Sequence, residues 1–291
     1  MTEGSPMKLI LGFSVPLLFG YLFQQLYNLV DTMIVGQFLG VDALAAVGAT
    51  GSINFLIIGF CNGVCSGFAL PIAHRFGAKD YKTLRKLYAN SIWLSAIFAV
   101  IMTILTVAFC RPILTLMRTP ENIFEYSYQY IVIIFIGIPA TYLFNLTSGM
   151  IRALGNSRAP LIVLIVSSVL NVVLDLVFIL NFHMGVTGAA AATVLSQVIS
   201  GIACVIYIRK KVDMLQLSRD EWKMEKREML ELFNAGVPMG CYFLTLSLMS
   251  SIVTSVGTSV PSYPSLPART TTSMCFLIIS VYLPGVLTVY R

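Results

Sequence analysis

Two carboxylates stand inside otherwise apolar stretches of this chain, Asp31 and Asp175. An ionisable group within a lipid-embedded span is costly, and by default it marks a functional site. Asp31 closes the series Gln24, Asn28, Asp31, whose i, i+4, i+7 spacing makes one helical stripe. Asp175 closes a similar series with Ser167 and Asn171. Thr141, Asn145 and Ser148 form a third series, and Thr193 with Gln197 a fourth, just after a run of small residues that permits close helix approach. Polar stripes must face protein or water rather than lipid, so four of them predict one hydrated pocket. Carboxylate, amide and hydroxyl oxygens suit a hard cation such as Na⁺. A carboxyl group in such surroundings can equally carry a proton. Either would serve ion coupling in a carrier. Each residue also has a plainer reading. Asp31 could be an acid near the outer surface, and Asp175 a structural acid held by hydrogen bonds. Asn145, Asn171 and Thr193 serve helix packing as readily as ligation.

The elements that must position these groups follow from composition. The chain has 291 residues, 57% hydrophobic and 11% charged, with a mean hydropathy of +0.84. Soluble domains carry about 25% charged residues, so a soluble enzyme of this size could not cover its surface. Charge-poor runs occupy residues 9–30, 43–73, 87–110, 126–151, 159–174 continuing past Asp175 to 180, 186–208 and 232–256. Each approaches or exceeds the roughly 20 residues a spanning helix needs. They lack the period-2 alternation of barrel strands. The expected fold is all-α, a polytopic transmembrane bundle of six helices plus the start of a seventh.

The basic residues set an expected orientation. Fifteen Lys and Arg fall before helix 1 or in loops 2–3, 4–5 and 6–7, against only Arg111 and Arg118 on the other side. That asymmetry predicts a cytoplasmic N-terminus, and it accounts for the net charge of +6 without nucleic acid. Five of the six cysteines sit in or at the ends of spans, and Cys61 and Cys65, four apart, read as packing thiols. His74 and His183 fall in loops, no HExxH occurs, and no motif supports an intramembrane protease pair, so the reading is not an enzyme and involves no metal site beyond Na⁺.

Helix 7 restarts the pattern of helix 1. Val15-Pro16 and Val237-Pro238 both lie just inside an apolar run, 222 residues apart. Six helices lie between, so both copies enter the membrane in the same direction, a parallel repeat. The expected organisation is a six-helix lobe over 1–208, a basic loop over 209–228, the first helix of a second lobe over 229–256, and a Ser/Thr/Pro-rich tail over 257–291. That tail reads as a frameshifted or truncated frame, and the alternative is a genuine divergent end. Pro16 removes a helix hydrogen bond, as a static kink or a gating bend.

An ordered set of motifs resembles the multidrug and toxic compound extrusion (MATE) family. It comprises Val15-Pro16, QQLYNLVD over 24–31, Val35-Gly36, GVDALAAVG over 40–48, GAK over 77–79, RALGNSRAP over 152–160, NVVLD over 171–175 and GVTGAAAAT over 185–193. The resemblance implies a two-lobed bundle with a V-shaped cavity and rocker-switch exchange. It implies export of cationic amphipathic drugs or metabolites against Na⁺ or H⁺ across the plasma membrane, with membrane lipid as surroundings and no cofactor besides the coupling ion. It implies a cation site at Asp31, Asn171, Asp175 and Thr193 with Asn145 beside it, cavity-lining roles for Gln24, Asn28 and Gln197, and bending at Pro16. A flippase for lipid or polysaccharide precursors in the same superfamily is the alternative, but the apolar runs lack the basic residues an anionic headgroup would call for. A half-transporter acting as a dimer and a non-transporting half-protein also stay open. The residues assign no oligomeric state.

Overall fold

The computed structural model of the chain describes residues 6–217 and 219–258. The tail expected to be atypical lies, from residue 259 on, outside the described residues. Every regular element among the described residues is helical. They are α1 (Pro6–Leu39), α2 (Val41–Gly77), α3 (Tyr81–Ala108), α4 (Cys110–Leu116), α5 (Glu121–Ile136), α6 (Ile138–Ala153), α7 (Arg158–Leu176), α8 (Val186–Lys211) and α9 (Lys226–Thr258). Two short 3₁₀ turns, Asp213–Leu215 and Arg219–Trp222, lie between α8 and α9. Five described helices are long and apolar enough to cross a membrane, or six if α5 and α6 count as one bent span. At 34 residues α1 also has the length, about 50 Å, although Gln24, Gln25, Asn28 and Asp31 dilute its apolar run.

Three local outcomes differ from the expected spans. The run over 126–151 is two helices meeting at 46°. Gly137 stands at that bend, where a Cβ would lie 2.3 Å from Val194 Cγ2, and Pro139 opens α6. Helix 1 runs on past residue 30 to Leu39, so Asp31 is not at its end. The chain then turns at Gly40, whose φ of +89° favours glycine. Finally, α7 widens into a π-helical turn over Val177–Asn181. It closes with Phe182 N–H donating to the Val177 carbonyl at 3.2 Å, immediately after Asp175.

The bundle is apolar on both sides of its wall. Ile162, Val166, Val169 and Val173 on α7 and Val100, Ile101 and Ile104 on α3 face outward, as lipid permits. Inside, Phe68, Leu84, Leu87, Phe135, Tyr142 and Met150 form a core joining α2, α3, α5 and α6. A second, smaller core joins α1, α5 and α8 through Val35, Tyr130, Ile134, Ala189 and Ala190. Cys61, Cys65, Cys110 and Cys204 are buried free thiols, whereas Cys241 on α9 is exposed.

The closest helix contact is α2 against α9. Gly59, Gly63 and Gly67 recur every fourth residue along α2, and Gly236 and Gly240 answer on α9. A Cβ on Gly67 would meet the Ala235 carbonyl oxygen at 2.5 Å and Gly236 Cα at 2.6 Å; one on Gly63 would meet Gly240 Cα at 2.8 Å. Backbone packs on backbone, the arrangement small residues make possible between spans. Gly67→Val must therefore force the two helices apart. We expect it to destabilise the protein by about 1–3 kcal/mol, read as a lowered melting temperature in detergent. Gly51→Ala on the same helix, where nothing lies within 4 Å of the new methyl, should leave the melting temperature unchanged or raise it.

Candidate functional site

The structure brings four of the expected residues together where α1, α7 and α8 converge. Asp31 is 8% exposed and Asp175 fully buried. Their carboxyl groups face each other within hydrogen-bonding reach. Asn171 lies one turn before Asp175. With its amide turned to satisfy both neighbours, it donates to Asp175 Oδ2 at 2.9 Å and accepts from the Thr193 backbone N–H at 3.2 Å. The Thr193 hydroxyl donates to the Ala189 carbonyl at 3.1 Å and accepts from the Tyr27 hydroxyl at 3.5 Å. Oδ1 of Asp31 and Oδ1 of Asp175 receive no hydrogen bond from a neighbouring donor group, whereas buried polar atoms are nearly always paired.

Two tyrosines belong to this cluster that the polar stripes did not single out. Tyr27 precedes Asp31 by one turn, a spacing that could have revealed it. Tyr130, on α5 and 6% exposed, lies within electrostatic reach of both acids and of Tyr27. No local signal marks it, because it enters from a distant segment. Two phenol groups, one half-buried and one buried, thus stand beside the carboxylates.

Other expected residues are placed differently. Gln24 and Asn28 are exposed rather than buried with Asp31, and Asn28 Nδ2 donates to Gln25 Oε1 at 3.2 Å on its own helix. The α7–α8 wall that covers Asp31 does not cover them. Asn145 Nδ2 donates to the Thr141 carbonyl at 2.8 Å, within α6. The Thr141 hydroxyl pairs with Gln197 Oε1 at 2.6 Å, and Ser167 Oγ donates to the Ser196 carbonyl at 3.3 Å. These bonds join α6 to α8 and α7 to α8. They are side-chain ties between spans, which hold the walls of the site. Pro16 lies inside α1, which runs through it as one helix.

The MatE family model matches residues 16–177, from Pro16 inside α1 to just past Asp175. This chain belongs to the MATE family. Among its relatives is the probable multidrug resistance protein YoeA of Bacillus subtilis, 34% identical over 84% of this chain and 54% of that protein. The multidrug export protein MepA of Staphylococcus haemolyticus is 28% identical over 85% and 54%. A solved MATE transporter described as a multidrug resistance protein in an outward-facing conformation superposes with a TM-score of 0.85 at 26% identity, over 98% of this chain and 63% of that one. A MOP superfamily transporter from Pyrococcus furiosus gives the same values. The MATE chain thus spans about half the length of the curated relatives it matches. It is an integral membrane protein of a multidrug transporter family.

The unpaired oxygens lead to a direct expectation. Asp31→Asn places an amide donor opposite Asp175 and removes one of two facing charges. It should raise the cation-free melting temperature at pH 8 in low salt, by the equivalent of about 1–3 kcal/mol. Asn171→Leu, which takes a donor from Asp175, should lower it. Thermal unfolding of the purified chain in detergent reads both.

Proposed function

We propose that this chain supplies the cation-holding lobe of a multidrug efflux antiporter. The cavity formed with a second lobe would carry cationic amphipathic drugs or metabolites outward. Na⁺ or H⁺ would bind between Asp31 and Asp175 as the coupling ion. The observation that carries this reading is the pair of unpartnered carboxylate oxygens in an otherwise satisfied cluster. The Thr193 and Tyr27 hydroxyls are neutral oxygens beside the acids, which with the two carboxylates make a hard-donor set that fits Na⁺, while the Asn171 amide orients Asp175.

The coupling logic needs only differential binding. A bound cation neutralises the facing carboxylates and allows α1, α7 and α8 to close around them. Without it, mutual repulsion favours a looser arrangement. A ligand shifts such an equilibrium only by its difference in affinity for the two states. Tyr27 and Tyr130 contribute by excluding water, so the charge of the pair is felt by the helices rather than screened. Pro16, which removes a backbone hydrogen bond from α1, gives that helix a place to bend when the site changes. The basic loops at one end of the bundle support a cytoplasmic N-terminus in the plasma membrane.

The test is cation-dependent stability of the chain in nanodiscs. At pH 8, NaCl should raise the melting temperature above a choline chloride control of equal ionic strength. At a hundredfold excess over the dissociation constant the gain is about 2.7 kcal/mol. Asp31→Asn/Asp175→Asn should abolish the gain. A proton-coupled site would show no Na⁺ effect at pH 8, but stabilisation on acidification that the double variant lacks. If neither ion stabilises the parent chain more than the double variant, the reading is wrong.

A further inference from the structure

At the end of the bundle that carries the basic loops, a groove of about 470 Å³ lies beside the α2–α9 contact, walled by Leu70, Pro71 and His74 of α2, by Ala78 just past its end and by Ala235 of α9. Arg75 and Glu231 bridge it, Nη2 donating to Oε1 at 3.4 Å. The linker before α9 then folds back onto α3. Arg85 Nε lies 3.4 Å from Glu221 Oε1, and Lys86 Nζ 2.6 Å from Glu225 Oε1. Asn90 Oδ1 accepts from the Glu225 backbone N–H at 3.1 Å, and Asn90 Nδ2 donates to the Lys86 carbonyl at 2.9 Å. Trp93 Nε1 donates to the Trp222 carbonyl at 3.3 Å, and the two indoles meet edge to face. Lys86, Asn90 and Trp93 are spaced i, i+4, i+7, so one stripe of α3 holds the end of the linker at Trp222 and Glu225.

These contacts differ in kind from the glycine contact below them. The side chains of the three ion pairs are 16–38% exposed, which makes each pair weak and sensitive to salt. The hydrogen bond from Lys86 holds the Glu225 carboxyl below the usual carboxylate range. Glu228, buried in the first turn of α9, keeps one oxygen, Oε2, without a partner. The polar end is thus incompletely satisfied and held by exposed charges, while the glycine contact is held by close apolar packing, with Phe68 against Gly236 and Val64 and Phe60 against Gly240. Pro238 sits between Gly236 and Gly240 in α9 and removes a backbone hydrogen bond there.

We infer that Arg75–Glu231, Arg85–Glu221, Lys86–Glu225 and the Trp93–Trp222 contact form an ionic clasp setting the angle at which α9 leaves α2, with Gly63, Gly67, Gly236 and Gly240 as its pivot. Fastened, the clasp closes this end of the bundle; released, it lets the first turns of α9 and everything attached to them swing about the glycines. Its place in a transport cycle rests on the antiporter reading. The clasp itself rests on these contacts alone.

The test is amide hydrogen exchange of the full chain in nanodiscs, with no drug or coupling cation varied. Exchange over 226–235 is compared with that over 236–246 in Arg75→Glu, Glu231→Arg and the double swap. Each single variant, and high concentrations of choline chloride on the parent, should speed exchange over 226–235 by about two- to fivefold. The segment 236–246 should stay protected, which also shows that the variants are folded. The double swap should restore slow exchange. If the first turns of α9 ignore salt and both single variants, or if the swap does not restore protection, the clasp is refuted. Deprotection of 236–246 along with 226–235 would refute the pivot. Since the readout involves neither Na⁺ nor H⁺ binding, its failure is separable from failure of the cation site.

Discussion

Two carboxyl groups held face to face in an apolar bundle are the constraint around which this protein is organised. Removing one charge from water into such surroundings is expensive, and placing a second beside it adds repulsion. The fold meets that demand from several directions at once. Asn171 donates to Asp175, and Thr193 anchors Asn171 through its backbone. Tyr27 approaches Thr193 from α1, and Tyr130 closes the cluster from α5. Even so, an oxygen on each acid stays unpaired. Four helices converge on a cluster that protein groups alone do not complete.

Much of this was legible in the sequence, because the signal was the rarity of polar residues where nearly everything else is apolar. Asp31, Asn171, Asp175 and Thr193 stand out in a chain with 11% charged residues, and helical spacing puts Asn171 and Asp175 on one face. The same spacing did not say that Gln24 and Asn28 would be exposed while Asp31 is buried. Periodicity fixes which side of a helix a residue takes, but not how far along that side a neighbouring helix extends, and the wall covering Asp31 stops short of them. Tyrosines are common in membrane spans, so Tyr130 carried no distinguishing mark. The bend at Gly137 and the glycines of α2 and α9 were visible as residue types. Their meaning came only with the partner helix: Val194 against the first, backbone against the second. The π turn after Asp175 has no sequence signature here, since an apolar run satisfies α and π geometry alike.

The glycine contact and the cluster of acids solve opposite problems. In lipid, apolar side chains gain little by leaving the membrane for a helix interface, so association depends on close packing and on polar ties. The α2–α9 pair takes the first route, with backbones in contact. The α6–α8 and α7–α8 pairs take the second, through Thr141 with Gln197 and Ser167 with the Ser196 carbonyl. Polar ties fix helices in rotation as well as distance. The α2–α9 contact also interlocks side chains, Phe68 against Gly236 and Val64 with Phe60 against Gly240. The walls of the acid cluster are therefore tied by hydrogen bonds, and α9 is held to α2 by close packing.

That difference bears on how the two regions could communicate. The helices that carry the acids pack on one another, α1 also packs on α2, and α9 packs on α2 and α3. Any influence of the cluster on α9 must therefore pass through α2 or its neighbours. One physical link is in place on α5. Tyr130 closes the cluster, and one turn earlier the buried Ser127 hydroxyl donates to the Ala46 carbonyl of α2 at 3.4 Å. A shift of Tyr130 towards or away from the acids moves a helix that is bonded to α2. At its other end α2 carries both Gly67 and Arg75, the pivot and the bridge. One helix thus touches the wall of the cluster, the glycine pivot and the ionic bridge, with Pro71 inside it between Gly67 and Arg75. That makes α2 the element through which the acids and α9 would act on one another.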